Sequence, residues 1–471
     1  MVRKRRGRRS SIKRRNSIKK RRDRQLYYGM ALLVMVFIVV GLTTAIKGEN
    51  NRVLEVSKLT EAVKKDEDAK EKTDGDKEKK EEKKAVKRED NPDIRVLIMT
   101  NGFKHITHSK VKLSSSSGLT VTYGKNGEEK KEYKKNKTVT ISPDHEWLKK
   151  GCVRIQAVKG KVKIKSLKRG DGVPEYAGII ELRSTAEGIV IINELPVESY
   201  LCGVVPSEMP SSYELEALKA QAVCARSYAY RQMEEYSYPE YKAHVNDSTD
   251  YQVYNNSAQA DTSSRAVEET AGEAVIYNGK VATTYYYSTS CGKTTTMEAW
   301  GTKPGKDNGY LKEAEVKGDN GYYEKDLPWY RWSATVSVET LSNLISLNTG
   351  KDIGRLKKIK ITERGPGEVA LVMKAYGDKG NVTVKTENKI RSALGGSGYT
   401  IKKQDGSETD SRDLLPSAFF TIKKEKDNFV IEGGGFGHGI GMSQTGANEM
   451  AKQGKDYKEI LKMFYNDITV E

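Results

Sequence analysis

The sequence predicts an α+β body. A β-rich lobe comes first, then a mixed α/β lobe forming a groove, and both follow a single transmembrane helix and a charged linker. Three observations carry this. Leu26 to Ile46 is a 21-residue run without a charge, long enough to cross a hydrocarbon core as a helix. From Asp93 onward, short runs alternate apolar and polar residues between Gly, Asp and Asn, the pattern of hairpins. Leu215, Leu218, Ala222, Ala225 and Ala229 recur at helical spacing in an alanine-rich stretch.

The 471 residues carry a net charge of +18, unevenly spread. Residues 1–25 hold 14 Lys or Arg against one Asp, so +13 of the +18 lies there. The rest is mildly basic, which argues against a nucleic-acid-binding body. The basic tail reads as a disordered cytoplasmic segment drawn to anionic lipid, and nucleic-acid binding through it is the remote alternative. The positive-inside rule puts the tail in the cytoplasm and the body outside. Tyr27 and Tyr28 stand where an aromatic belt would lie. The competing reading is a cleaved signal peptide processed at Thr43-Thr44-Ala45. Residues 47–92, dominated by Lys, Glu and Asp, hold too little apolar surface for a core and read as a tether.

Residues 93–185 form the β-rich lobe and 186–471 the second lobe. Strands are expected at Arg95–Met99, Leu119–Tyr123, Thr138–Ile141, Val153–Ile155, Val162–Ile164, Ile179–Leu182 and Gly188–Leu195. Val197–Val204 is a short helical lead into Pro206-Ser207-Glu208-Met209-Pro210, where two prolines stiffen a loop around one carboxylate. Ser211 to Glu214 fits a capping box for the alanine-rich helix. Within that helix, Cys224 reads as a small buried hydrophobe. Asp247 and Asp250 read as turn formers, and a helix is expected over Ser263–Gly272. Asn278-Gly279 marks a hairpin between Ala274–Tyr277 and Ala282–Ser288. Thr335–Leu347 reads as strand then helix, and Leu356–Met373 as strands around a Gly-Pro-Gly turn. Lys389–Gly395 reads as a short helix, with strands at Ala418–Ile422 and Phe429–Ile431. None of the four cysteines forms a C-x-x-C pair, so a zinc ribbon or thioredoxin site is unsupported.

Two motifs stand out. PSEMP followed by ALKAQAVCARSYA runs from Pro206 to Ala229. GGGFGHGIGMSQTGA runs from Gly433 to Ala447. The glycine block has no G-x-G-x-x-G and no Gly-Lys-Ser/Thr, so it is neither a dinucleotide nor a P-loop fingerprint. A lone Glu208 is compatible with an ordinary solvated carboxylate. The two motifs in this order, however, resemble the SpoIID/LytB family, known for sporulation stage II protein D. The resemblance covers about Ile94 to Val470.

The resemblance implies lytic transglycosylation of peptidoglycan with Glu208 as the single catalytic acid. The substrate is the MurNAc-β-1,4-GlcNAc strand. It implies substrate contacts at Ser207, Arg226, Gln252 and Tyr254, at the Ser290-Cys291-Gly292 segment, and at His438, Ser443 and Gln444. His438 has a second reading as a structural post, and a Cys291–His438 thiol enzyme is a minor alternative. Some relatives hold zinc through Cys and His in the loop after the main helix. Here that loop offers Asp247, Asp250 and Tyr251 with His244 nearby, so no zinc and no other cofactor is expected. The implied partners are glycan strands, a cell-wall amidase and, through the helix, the membrane, with no nucleic acid. The alternative function is a non-catalytic glycan-binding adaptor that stimulates an amidase.

Overall fold

The alternating runs after Asp93 pair into a twisted antiparallel sheet. Its order is Val245–Asn246, Asp93–Ile98, Gly188–Pro196, Ile179–Thr185, Val153–Ala157, Leu119–Tyr123, Glu129–Tyr133, with Thr107–His108 on the flank of Gly188–Pro196. Val245–Asn246 joins parallel to Asp93–Ile98, the one parallel pairing in this sheet. This computed structural model describes residues 91–471, apart from 171 and 256–259. The basic tail, the apolar span and nearly all of the tether lie outside the described residues. Among the described residues no helix is long and apolar enough to cross a membrane.

Val111–Ser114, Val139–Ile141, Val162–Ile164 and Glu175–Tyr176 form a smaller sheet. Its Val111, Leu113, Val162 and Ile164 bury in the same core as Val121, Val153 and Ile155 of the larger one. The hairpin of Ile179–Thr185 with Gly188–Pro196 runs straight across residue 185, so the sheet extends past the expected lobe boundary.

Helix α1 spans Val197–Glu208 and α2 spans Leu215–Gln232. The expected proline-stiffened loop is instead the last turn of α1, with Pro206 inside the helix. Burial of Val197, Tyr200, Leu201, Val204 and Val205 carries the helix through. Pro206 forfeits only one N–H, near an end where the ladder is about to stop. Met209 then turns extended and is itself buried. The expected capping box at Ser211 does not form: Glu214 is the N-cap, and its N–H donates to Asn448 Oδ1 at 2.9 Å. Helix α2 is buried along Ala217, Leu218, Ala220, Ala222, Val223, Cys224, Ala225 and Ala229. Alanines let the neighbouring helices approach it closely on several sides. Burial pushes the Cys224 thiol up to about 12, as fits an inert small hydrophobe. All four cysteines are free.

Helix α3 is Asp261–Glu269. The Asn278-Gly279 hairpin forms, with Asn278 at φ 50° and Gly279 at φ 72°. Its return strand is only Lys280–Val281. Tyr286–Tyr287 leaves to pair in parallel with Met442–Ser443, which ties the run before Cys291 to the glycine block.

Residues from about 320 to 433 add a second α/β layer. A five-stranded sheet runs Glu408–Asp410, Thr400–Lys403, Trp332–Ser337, Asn428–Gly433, Phe420–Glu425, and a three-stranded one runs Leu356–Arg364, Ala370–Gly377, Asn381–Lys385. Helix α4, Val338–Thr349, is capped by the Ser337 hydroxyl, which accepts from Thr340 N–H. Helix α5 is Glu387–Leu394. The chain closes with α6, Gln444–Lys452, and α7, Tyr457–Phe464, the latter with a full capping box at Asp456 and Glu459. The fold is mixed α+β.

Candidate active site

Glu208 ends α1 and lines a cavity of about 360 Å³ together with Tyr228, Asp250, Tyr251, Gln252, Tyr285, Tyr286, Trp300, Glu387, Arg391 and His438. The residue is partly exposed and lines the cavity beside Tyr228, Tyr285 and Tyr286. Val253 N–H donates to Glu208 Oε1 at 2.6 Å, and the Tyr286 hydroxyl donates to the same carboxyl. Burial still dominates and raises its pKa from the ordinary 4.5 to about 7. A position at the C-terminal end of a helix acts in the same direction, because the macrodipole there disfavours an anion. The sequence placed this carboxylate on a loop, not at a helix end.

A relay of hydrogen bonds sets the carboxyl. Tyr200 Oη donates to Gln252 Oε1 at 3.4 Å, and Gln252 Nε2 donates to Tyr286 Oη at 3.1 Å. Tyr286 then reaches Glu208. Gln444 Nε2 donates to the backbone carbonyl of Glu208 at 3.1 Å and so holds the helix end against α6. Gln252 therefore acts on the Glu208 carboxyl through Tyr286, and Gln444 on its backbone.

The glycine block brings His438 to the same cavity. Gly441 has φ 75°, and a Cβ there would meet Tyr285 O at 2.1 Å, so only glycine lets the two chains lie this close. His438 Nδ1 accepts from Ile440 N–H at 3.1 Å, which leaves the proton on Nε2 to donate to Tyr286 O at 3.0 Å. Burial, with Arg391 nearby, lowers its pKa to about 3, so the ring is neutral. Both nitrogens are engaged, so His438 is a post that fixes Tyr286 and shows the cavity its ring. The ring packs 5.0 Å from Trp300 and 5.4 Å from Tyr287.

Other expected contacts lie elsewhere. Arg226 is fully buried, with a bidentate pair to Glu198 (2.7 Å to each oxygen) and bonds to the carbonyls of Val267 and Glu273. A side chain with no exposed surface cannot touch a polymer, so Arg226 is a core pin between α1, α2 and α3. Tyr254 is buried against Tyr200 and Tyr176 and donates to Asn193 Oδ1 at 2.9 Å. The Ser207 hydroxyl donates to Gly203 O and accepts from Asn255 N–H, bracing the end of α1. Ser290 and Ser443 are buried and converge on Glu324 instead of a substrate. Cys291 and Gly292 lie beside Tyr322 and Tyr330, and Cys291 lines a different cavity from His438. Burial pushes the Cys291 thiol up, and no imidazole serves it, so the thiol-enzyme alternative has no geometric support.

Asp247 is not a turn former. It is fully buried, paired with Arg169 Nη2 at 2.6 Å, and accepts from Met99 N–H at 2.9 Å. Burial pushes its carboxyl up while Arg169 pulls it back. It locks the loop to the first strand. His244 Nδ1 accepts from Arg95 N–H at 3.0 Å. Both groups are thus committed to protein partners, and among the described residues no set of three His, Cys, Asp or Glu is placed to hold a metal.

Three residues that shape the site carried no sequence signal. Tyr286 looked like part of a β-prone run. Glu324 is fully buried and accepts from Ser290 N–H, from the Ser443 hydroxyl at 2.7 Å and from the hydroxyls of Ser290 and Thr445, which knots the Ser-Cys-Gly segment to the glycine block. Glu387 accepts from Trp300 Nε1 at 2.9 Å and pairs with Arg391 at 3.2 Å at the rim of the Glu208 cavity. Burial pushes its carboxyl up. Thr386, just before it, has φ 74°, a conformation that costs a β-branched residue about 1–3 kcal/mol.

The stage II sporulation protein family model matches residues 185–277, and a domain of unknown function (DUF8618) matches residues 302–441. The chain is 32% identical to stage II sporulation protein D of Bacillus subtilis (strain 168), over 58% of this chain and 74% of that protein. It is also 32% identical to an uncharacterized protein of Brachyspira hyodysenteriae, over 63% of this chain and 72% of that protein. It is 30% identical to the amidase enhancer of Bacillus subtilis, over 57% of this chain and 40% of that protein. With PSEMP ending a helix at Glu208 and the glycine block folded against it, the chain belongs to the SpoIID family.

Proposed function

We propose that this chain is a membrane-anchored lytic transglycosylase that cleaves MurNAc-β-1,4-GlcNAc strands of peptidoglycan. The observation that carries the reading is the Glu208 carboxyl, which burial holds largely protonated up to about pH 7 and which lines an aromatic cavity. Protonated Glu208 gives its proton to the glycosidic oxygen as the bond from that oxygen to MurNAc C1 breaks. The MurNAc C6 hydroxyl oxygen then bonds to C1, and Glu208 takes back the hydroxyl proton. The products are a free GlcNAc end and a 1,6-anhydroMurNAc end, with no water consumed. Hydrolysis would instead need a second carboxylate to activate water or attack carbon. Asp250 and Glu387 line the cavity, but each has a protein partner: Asn246 Nδ2 lies 3.3 Å from Asp250 Oδ2, and Glu387 is held by Trp300 and Arg391. The apolar run Leu26–Ile46 supplies the anchor, and the body works outside the membrane.

The second reading is an adaptor that binds glycan and stimulates an amidase, favoured by the similarity to the amidase enhancer. Incubating the purified full chain with amidase-stripped glycan separates the two. Anhydro-ended saccharides in the mass spectrum are expected. Reducing ends alone would indicate hydrolysis, and no cleavage together with faster amidase turnover would establish the adaptor.

A further inference from the structure

A second cavity, about 530 Å³, is larger than the one that holds Glu208. It lies between the Cys291–Lys293 segment and the layer matched by the domain of unknown function. Its walls combine flat apolar rings, Tyr322, Tyr330, Phe419 and Phe420, with the cations Lys293, Arg331 and Arg364. Arg331 is already oriented. Its Nη1 donates to Cys291 O at 2.9 Å and Tyr330 O at 2.7 Å, and its guanidinium lies 4.0 Å over the Tyr330 ring. The residue is nonetheless exposed and lines the cavity, so its charge is open to a ligand there. The nearest carboxylate contact of Lys293 is a loose 3.7 Å to Glu313. Glu368 and Glu432 complete the lining, leaving the cations in excess by one. Gly434 forms part of the floor, where a Cβ would come within 2.8 Å of Cys291 Cβ and 3.0 Å of Arg331 Nη1.

The glycine block joins this cavity to the first. Gly433 and Gly434 line one, and His438 lines the other. Gly434 and His438 are four residues apart, at most about 14 Å, a separation within the length of a polymer of a few sugars. Rings with apolar faces beside a fixed guanidinium suit a sugar that carries a carboxylate. We propose that this cavity is a second glycan subsite, in which the aromatic rings take a sugar and Arg331, with Lys293, takes its carboxylate. The inference rests on the glycan-cutting reading and deepens it. The carboxylate has two sources in peptidoglycan: the lactyl acid of a MurNAc whose peptide has been removed, and the acids of the stem peptide.

The test is calorimetric binding to the full chain carrying Glu208→Gln. The probes are a GlcNAc–MurNAc tetrasaccharide with free lactyl acids, the same saccharide as its methyl amide, and the peptide-bearing form. The free acid is expected to bind about 10-fold tighter than the amide. Arg331→Gln should erase that difference, and Lys293→Met, on a half-exposed side chain, should reduce it without lowering the melting temperature. Tight Arg331-dependent binding of the peptide-bearing form would assign the stem acids, and its absence would assign the lactyl acid. Equal binding of acid and amide, a preference that survives both substitutions, or no binding of any probe overturns the subsite. Anhydro product from the parent chain is read separately. If the parent makes none while the acid preference holds, the cutting reading fails and the subsite stands.

Discussion

At the residue scale, Glu208 has two opposed influences and their sum sets the working pH. Burial and the helix end favour the neutral acid, while Val253 N–H and the Tyr286 hydroxyl favour the anion. The acid must start protonated, so kcat/KM for glycan is expected to fall as pH rises through about 7. Tyr286→Phe removes a donor to the anion and should move that limb upward by roughly half to one unit; a downward shift would contradict the assigned hydrogen bond. Linkage gives the stability counterpart. The folded-state value exceeds the unfolded one, so the stability supplied by proton binding is full below about 4.5 and is lost as pH rises through about 7. The Glu208→Gln variant should lack that slope in urea melts.

At the element scale, one buried carboxylate organises two motifs far apart in sequence. Glu324 accepts hydroxyls from Ser290, Ser443 and Thr445. Glu324→Ala would remove the acceptor these groups share in the core; Ser290 N–H keeps Ser443 Oγ and the Thr445 hydroxyl keeps Ser288 O, so the expected cost is about 1–3 kcal/mol in unfolding free energy, chiefly from the Ser290 hydroxyl left without its partner. Glu324→Gln, which retains an acceptor, should cost less; equal losses would mean that the knot works by packing alone. The sequence carried the strands and helices well where periodicity and turn chemistry agree, as in the Asn278-Gly279 hairpin and the Ser337-capped helix α4. It misled at Pro206, because two prolines so close normally mark a loop, and the apolar stripe of α1 overrode that preference. It was silent on Tyr286, Glu324 and Glu387, whose roles arise from partners such as Glu208, Ser443 and Trp300 that are distant in sequence. Arg226 sits inside the strongest motif for the opposite reason: it pins the helices that carry Glu208.

At the scale of the whole molecule, a layer matched by a domain of unknown function, residues 302–441, meets the stage II sporulation core. It supplies Glu387 and Arg391 to the first cavity and most of the wall of the second. Reach is a further property at this scale. If residues 47–92 act as a tether to the proposed anchor, shortening them is expected to lower wall cleavage in cells and leave cleavage of soluble glycan unchanged. Equal loss in both assays would show that the segment serves the fold rather than reach.

The central claim, that one neutral carboxyl lends and recovers a proton, is tested most directly by mass spectrometry of stripped glycan treated with the parent chain and with its Glu208→Gln variant. The account predicts 1,6-anhydroMurNAc ends from the parent and none from the variant, with glycan binding and fold retained. Anhydro ends from both at similar rates would contradict it.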